Sequence, residues 1–99
     1  MRRSIATNYG PKVTWDQLQV GVRIYYTGDM ANASANGTVV ARTDGKWGRQ
    51  VDIQLDDGYL TRGIHDSLFQ PGPGRRFWLS DDWKADQEAK QALFFQDRG

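Results

Sequence analysis

Between Gly21 and Ile64 apolar and polar residues alternate in short runs, and glycine-containing turns separate the runs. In Arg49-Gln50-Val51-Asp52-Ile53-Gln54-Leu55 every second residue from Val51 onward is apolar, the period of a strand with one buried face. Asp56-Asp57-Gly58 then reverses the chain into Tyr59-Leu60-Thr61-Arg62-Gly63-Ile64, so the two runs read as a hairpin. Upstream, Val20, Val22, Ile24 and Tyr26 face one way, and Arg23, Tyr25 and Thr27 the other. Another strand is expected over Thr38-Val39-Val40-Ala41-Arg42-Thr43, followed by a tight reversal at Asp44-Gly45. Phe77-Trp78-Leu79 is long enough for a short closing strand.

The intervening segments carry turn and helix signals. Residues 1–12 show no periodicity, end near Gly10-Pro11, and read as a flexible or loosely docked arm. Thr14 is a suitable N-cap for one turn over Trp15-Asp16-Gln17-Leu18. Gly28 to Gly37 is a ten-residue connection of small and turn-forming residues. His65 to Phe69 has room for one helical turn before Gln70-Pro71-Gly72-Pro73-Gly74. Ser80 is expected to cap a final helix running to about Phe95, with Asp81 and Asp82 matched to the helix dipole. Ala85, Ala89, Ala92 and Leu93 share a face that would lie against the sheet. The expected organisation is an arm over 1–12, a barrel over 13–79, and a helix over 80–95 packed on it.

Five strands, a long first loop and a short turn before the last strand resemble an SH3-like small barrel in the broad Tudor and KOW sense. The resemblance rests on Gly21 to Phe69. Gly37-Thr38-Val39-Val40 resembles KOW segments, in which glycine precedes a bending strand, and the Leu55-Asp56-Asp57-Gly58 turn is common in Tudor-like sheets. It implies a mainly β fold, an SH3-like five-stranded bent sheet or barrel with a C-terminal α-helix. It also implies a binding rim gathering Tyr25, Asp29, Met30, Asn32, Asn36, Lys46, Trp47 and Phe69. An OB-type barrel normally needs longer strands.

Composition narrows the chemistry. The chain has 99 residues, one domain's worth, with 38% hydrophobic residues and 12 % aromatic residues that include four Trp. It contains no Cys and one His, so neither disulfides nor a conventional metal site is expected, and no cofactor. No apolar run could span a bilayer, and the first eight residues carry two Arg without a secretory apolar stretch. The expectation is a cytoplasmic protein that does not enter membranes. Net charge is +1, yet residues 1–55 carry seven basic and four acidic side chains, and residues 56–99 six and eight.

Catalysis has little to rest on. His65-Asp66-Ser67 are chain neighbours without a second histidine, and a cap at Asp66 or Ser67 explains them. Asp56-Asp57 and Asp81-Asp82 sit at a turn and a helix start, and Gly72-Pro73-Gly74-Arg75-Arg76 lacks the ending of a phosphate loop. Arg75 and Arg76 beside Phe77 and Trp78 have the make-up to bind phosphate and stack bases, but the favoured expectation is that they pair with Asp81, Asp82 or Asp86. No catalytic or metal residues are expected, and the chain reads as a non-enzymatic binding module.

Trp47, at a hairpin tip between Lys46 and Gly48, suits stacking on a base, so the first expectation is a nucleic-acid face of Arg23, Arg42, Lys46, Trp47 and Arg49. The alternative is a protein–protein adaptor or inhibitor of the phage, plasmid or bacterial accessory type. It would use the barrel rim or Trp83, Phe94 and Phe95 on the helix; self-association as a homodimer is a third outcome. An aromatic cage for a methylated cation would draw on Tyr25, Tyr26, Trp47 or Tyr59 with Asp56 or Asp57. Alternation sends Tyr25 and Tyr26 to opposite faces and weighs against it.

Overall fold

The computed structural model describes residues 9–29 and 32–98, with side chains placed as far as residue 92. Five strands form one antiparallel sheet: β1 (Arg23–Tyr26), β2 (Ala35–Gly45), β3 (Gly48–Leu55), β4 (Leu60–His65) and β5 (Phe77–Leu79). Their order is β4-β3-β2-β1-β5. A single helix, α1 (Ser80–Arg98), follows β5 directly, and 3-10 turns occupy Trp15–Gln17 and Asp66–Phe69. The architecture is mainly β with one C-terminal helix.

Of the bent sheet or barrel that the resemblance implied, the five-stranded sheet is present and it is not closed. Its edges are β4 and β5, and no ladder joins them among the described residues. Strand β5 has only three residues, and all three pair with β1 through Ile24↔Leu79, Tyr25↔Trp78 and Tyr26↔Phe77.

Strand β2 is longer than turn propensity suggests, because neighbours hold both of its ends. Gly37 pairs with Ile24 on one side and Leu55 on the other. A Cβ there would lie 2.8 Å from the Gln54 carbonyl oxygen and 2.9 Å from the Leu55 side chain, so only glycine permits this approach. At the far end Gly45 pairs with Gly48, and the reversal falls on Lys46-Trp47 rather than on Asp44-Gly45. Gly48, at φ 94, supplies the left-handed step that lets the chain re-enter the ladder.

Alternation sorts most of the core as expected, but Val20, expected on the face of Ile24 and Tyr26, is 60% exposed because it lies before β1. Val51, Ile53 and Leu55 of β3 are buried, while Asp52 and Gln54 are half-buried on the opposite face. Ile24, Tyr26, Val39, Phe69, Phe77, Val13 and Leu18 complete the cluster. Phe69, expected at the binding rim, is 0% exposed. The Asp66–Phe69 turn drives its ring under the sheet, stacked on Phe77 with centroids 5.2 Å apart. This turn begins without a side-chain cap hydrogen bond, so neither Asp66 nor Ser67 plays the capping role. The Trp15–Gln17 turn does carry its capping box: Gln17 N–H donates to Thr14 Oγ1 at 3.3 Å, and Thr14 N–H donates to Gln17 Oε1 at 2.8 Å.

A second aromatic cluster forms on the other face. Tyr25 stacks on Trp83 at 4.5 Å, and Trp83 meets Trp78 edge-on at 5.1 Å. These rings anchor the start of α1 to β1 and β5. Beyond them Ala85, Ala89 and Ala92 are exposed, which corrects the expected packing of that face, and the side chain of Leu93 lies outside the described residues. A helix of 19 residues is about 28 Å long, and the molecule measures 49 Å along its longest axis against 28 and 25 Å across. The rings of Trp78 and Trp83, large and adjacent, dominate the anchor, and alanines offer too little area to compete.

The end of the expected arm that lies within the described residues is docked. The Arg75 guanidinium, 8% exposed, donates to the carbonyls of Tyr9 (2.5 Å), Pro11 (2.8 Å) and Phe77 (3.0 Å) while lying 3.9 Å from the Trp78 ring centroid. Burial pulls its pKa down, and the charges of Asp82 and Asp86 pull it back. Its expected pairing with the acidic helix start is thus through space, with backbone carbonyls as its direct partners. Gln70 adds a second clamp by donating to the Val13 carbonyl at 2.6 Å and accepting from the Val13 N–H at 3.1 Å.

Candidate functional site: an aromatic groove beside the first loop

A groove of about 500 Å³ lies between the first loop, the β3–β4 turn and the 3-10 turn before β5. Tyr26, Phe77 and Tyr59 supply aromatic wall, and Leu55, Ile64 and Leu68 supply aliphatic floor. Asp29, Asn32, Asp57 and Arg76 bring polar groups to the same groove. The site is a consequence of strand order. Pairing of β5 with β1 sets Phe77 beside Tyr26, with ring centroids 4.9 Å apart. The β3–β4 turn, closed by Leu55 N–H donating to the Tyr59 carbonyl at 2.8 Å, brings Asp57 and Tyr59 to the same end.

The polar groups are positioned by local chemistry. Asp29 accepts the Tyr26 hydroxyl at 2.8 Å and the Asn32 N–H at 2.8 Å, tying the first loop to β1. Burial pushes the Tyr26 hydroxyl pKa up, and the hydrogen bond to the Asp29 carboxylate pushes it further. Asp57 accepts the Tyr59 N–H at 3.0 Å, an Asx-type bond that shapes the turn. Tyr59 remains 62% exposed, a large amphipathic ring at the groove edge. The Arg76 backbone is fixed by its carbonyl accepting Thr27 N–H at 3.0 Å and its N–H donating to the Leu68 carbonyl at 3.0 Å.

The residues expected to contact nucleic acid are dispersed differently. Arg23 forms a two-pronged ion pair with Asp56, at 2.9 and 2.6 Å, and donates to Thr38 Oγ1 at 2.8 Å. The hydrogen bond from Arg23 holds the Asp56 carboxyl below the ordinary carboxylate range. Arg42 donates to the Trp15 carbonyl at 2.8 Å and lies 4.1 Å from that ring's centroid, while Arg49 lies 5.6 Å from the same ring and pairs with Asp44 at 3.3 Å. Trp47 is 75% exposed on its two-residue tip, with the Lys46 ammonium 5.4 Å from its centroid. Lys46 and Trp47 therefore stand out from the fold, while the three arginines are engaged within it.

The helix residues divide similarly. Trp83 is engaged by Tyr25 and Trp78, and the side chains of Phe94 and Phe95 lie outside the described residues, as does Met30. Of the residues weighed for a cage, Tyr26, Tyr59 and Asp57 come together, whereas Tyr25 and Asp56 are engaged elsewhere and Trp47 sits at the other hairpin. Sequence reasoning weighed Arg76 and Phe77 as part of a basic and aromatic cluster, and did not place either beside Tyr26 and Tyr59 in a groove. The one available signal was the apolar Phe77 itself, and it becomes a groove wall only once β5 is known to lie beside β1.

No group of three or more His, Asp or Glu suited to holding a metal occurs among the described residues. No helix there is long and apolar enough to cross a membrane. No protein-family model matches the chain, and neither a curated protein nor a solved structure shows significant similarity to it.

Proposed function

We propose that this protein is a non-enzymatic binding module on an SH3-like sheet, and that it captures an extended segment of a partner protein in the aromatic groove. Two features support the SH3-like reading: β5 returns antiparallel beside β1, and a 3-10 turn is the element that comes before it in the chain. The observation that carries the function is the groove itself, in which Tyr26, Phe77 and Tyr59 stand over an aliphatic floor with polar groups at the rim. Apolar wall with a few oriented polar groups is the make-up of a binding cleft. Tyr26, Leu55 and Phe77 of its lining are buried core residues, so part of the surface a ligand meets is set by the core.

Selection of twelve-residue peptides from a random display library tests this. Enriched peptides should shift the amide resonances of Asp57, Tyr59, Thr61 and Arg76, and Tyr59→Ala should weaken them by about tenfold, the scale of an exposed aromatic anchor. Peptides that move only resonances of α1 or the β2–β3 hairpin, or that bind Tyr59→Ala as well as the natural protein, would refute it.

A second reading, nucleic-acid binding at the β2–β3 tip, is favoured by the exposure of Trp47 beneath Lys46. It predicts that short single-stranded DNA or RNA quenches Trp fluorescence at low salt, weakens steeply as salt rises, and fails to do so with Trp47→Ala. Salt-independent quenching, or none, removes that reading.

A further inference from the structure

Resting on the groove reading, we infer that the captured segment inserts a cationic side chain, a guanidinium or an ammonium, against the Tyr59 face with the Asp57 carboxylate as its counter-charge. The charges in the groove select that end. Arg76 is the one cation among the described lining residues, and its field reaches the Tyr26 hydroxyl. Asp29 is committed to the same hydroxyl and to Asn32. The Tyr26 end is therefore already a balanced set of an acid, a base and a phenol.

The Tyr59 end is unbalanced. Asp57 Oδ1 takes the Tyr59 N–H, and a neutral amide does not cancel the carboxylate's charge. Tyr59 is mostly exposed beside it and offers a π face to a cation. Leu55, Ile64 and Leu68 line the same groove and offer apolar surface suited to the methylene stem of a long charged side chain. Stem and head together match Lys or Arg. A purely aliphatic side chain would leave the carboxylate with no counter-charge, and an acidic one would be repelled by it. At about 500 Å³ the groove also has room for the adjoining backbone.

The test uses single-residue probes: N-acetyl-arginine N-methylamide and its uncharged near-isostere, N-acetyl-citrulline N-methylamide, titrated into the isotopically labelled protein. The arginine probe should shift the Asp57, Gly58 and Tyr59 amides with about fivefold tighter binding than the citrulline probe. Added salt should narrow the gap, and Asp57→Asn, which keeps an oxygen acceptor for the Tyr59 N–H, should abolish it. Equal binding of the two probes at these amides overturns the cation and leaves the groove reading standing. Failure of both probes to move the groove, while library-selected peptides still do, also overturns it. Peptides that miss the groove as well bring down both readings together.

Discussion

Replacing Phe69 with alanine is expected to cost about 3–5 kcal/mol, the range for deleting a fully buried aromatic ring. Phe69 has no exposed surface, and its ring stacks on Phe77, which in turn stacks on Tyr26. Its 3-10 turn touches β3, β4 and β5, so one side chain fills the space beneath both edges of the open sheet. A sheet without closure has no ladder joining those edges, and packing must hold them in place. Native domains of this size have about 5–15 kcal/mol in total, so the variant should lose a large share of its stability. Thermal unfolding should show a midpoint lowered by more than about 12 °C. Phe69→Leu, which retains most of the volume, should recover much of the loss. An alanine variant within about 1 kcal/mol of the natural protein would mean that the ring is not part of the core.

The second large effect is expected at Arg75. Substitution by Met should cost about 2–4 kcal/mol, because three backbone carbonyls lose a charged donor and part of that surface is closed to water. Two of those carbonyls, on Tyr9 and Pro11, belong to a segment more than sixty residues away. The loss should therefore be local as well as global. Hydrogen exchange should rise at Lys12 and Val13, and chemical denaturation should shift to lower midpoint. Arg75→Lys should rescue little, since an ammonium has neither the planar fork that serves several carbonyls nor the flat face that lies on Trp78. A Met variant with unchanged stability and unchanged exchange at Lys12 would show that the segment is held by Gln70 and Trp78 alone.

The strand pattern was the legible part of this chain. Period-two runs located β3 and β4 within a residue, because burial of one sheet face imposes that period directly on side-chain type, whereas β1 begins three residues after the start of the run at Val20. Thr14 and its 3-10 turn were equally legible, since a capping box is satisfied within three residues. Boundaries that depend on a neighbour were not. Asn36-Gly37 and Asp44-Gly45 have turn-forming chemistry and belong to β2, because ladder partners on β1 and β3 outweigh local preference.

The candidate site divides along the same line. That Trp47 lies near a hairpin tip was readable from the turn signal at Asp44-Gly45, but its exposure follows from the reversal falling on Lys46-Trp47, which only the structure shows. The state of the basic residues around it was not readable. Arg23 meets Asp56 from 33 positions away, and Arg42 meets the Trp15 carbonyl from 27 away. Charge counted along the chain says nothing about which cations already have partners.

By itself the sequence determined that this is a small, mainly β chain of five strands and one late helix, with Tyr25 and Tyr26 on opposite faces. Those properties follow from local periodicity, which each segment carries alone. The tertiary structure decided that the sheet stays open, that Phe69 is core rather than rim, and that Tyr26, Phe77 and Tyr59 share a groove with Asp29 and Asp57. It decided these because each depends on which strands lie side by side. A three-residue β5 beside β1, and not any property of its neighbours in sequence, sets Phe77 against Tyr26 and makes the groove.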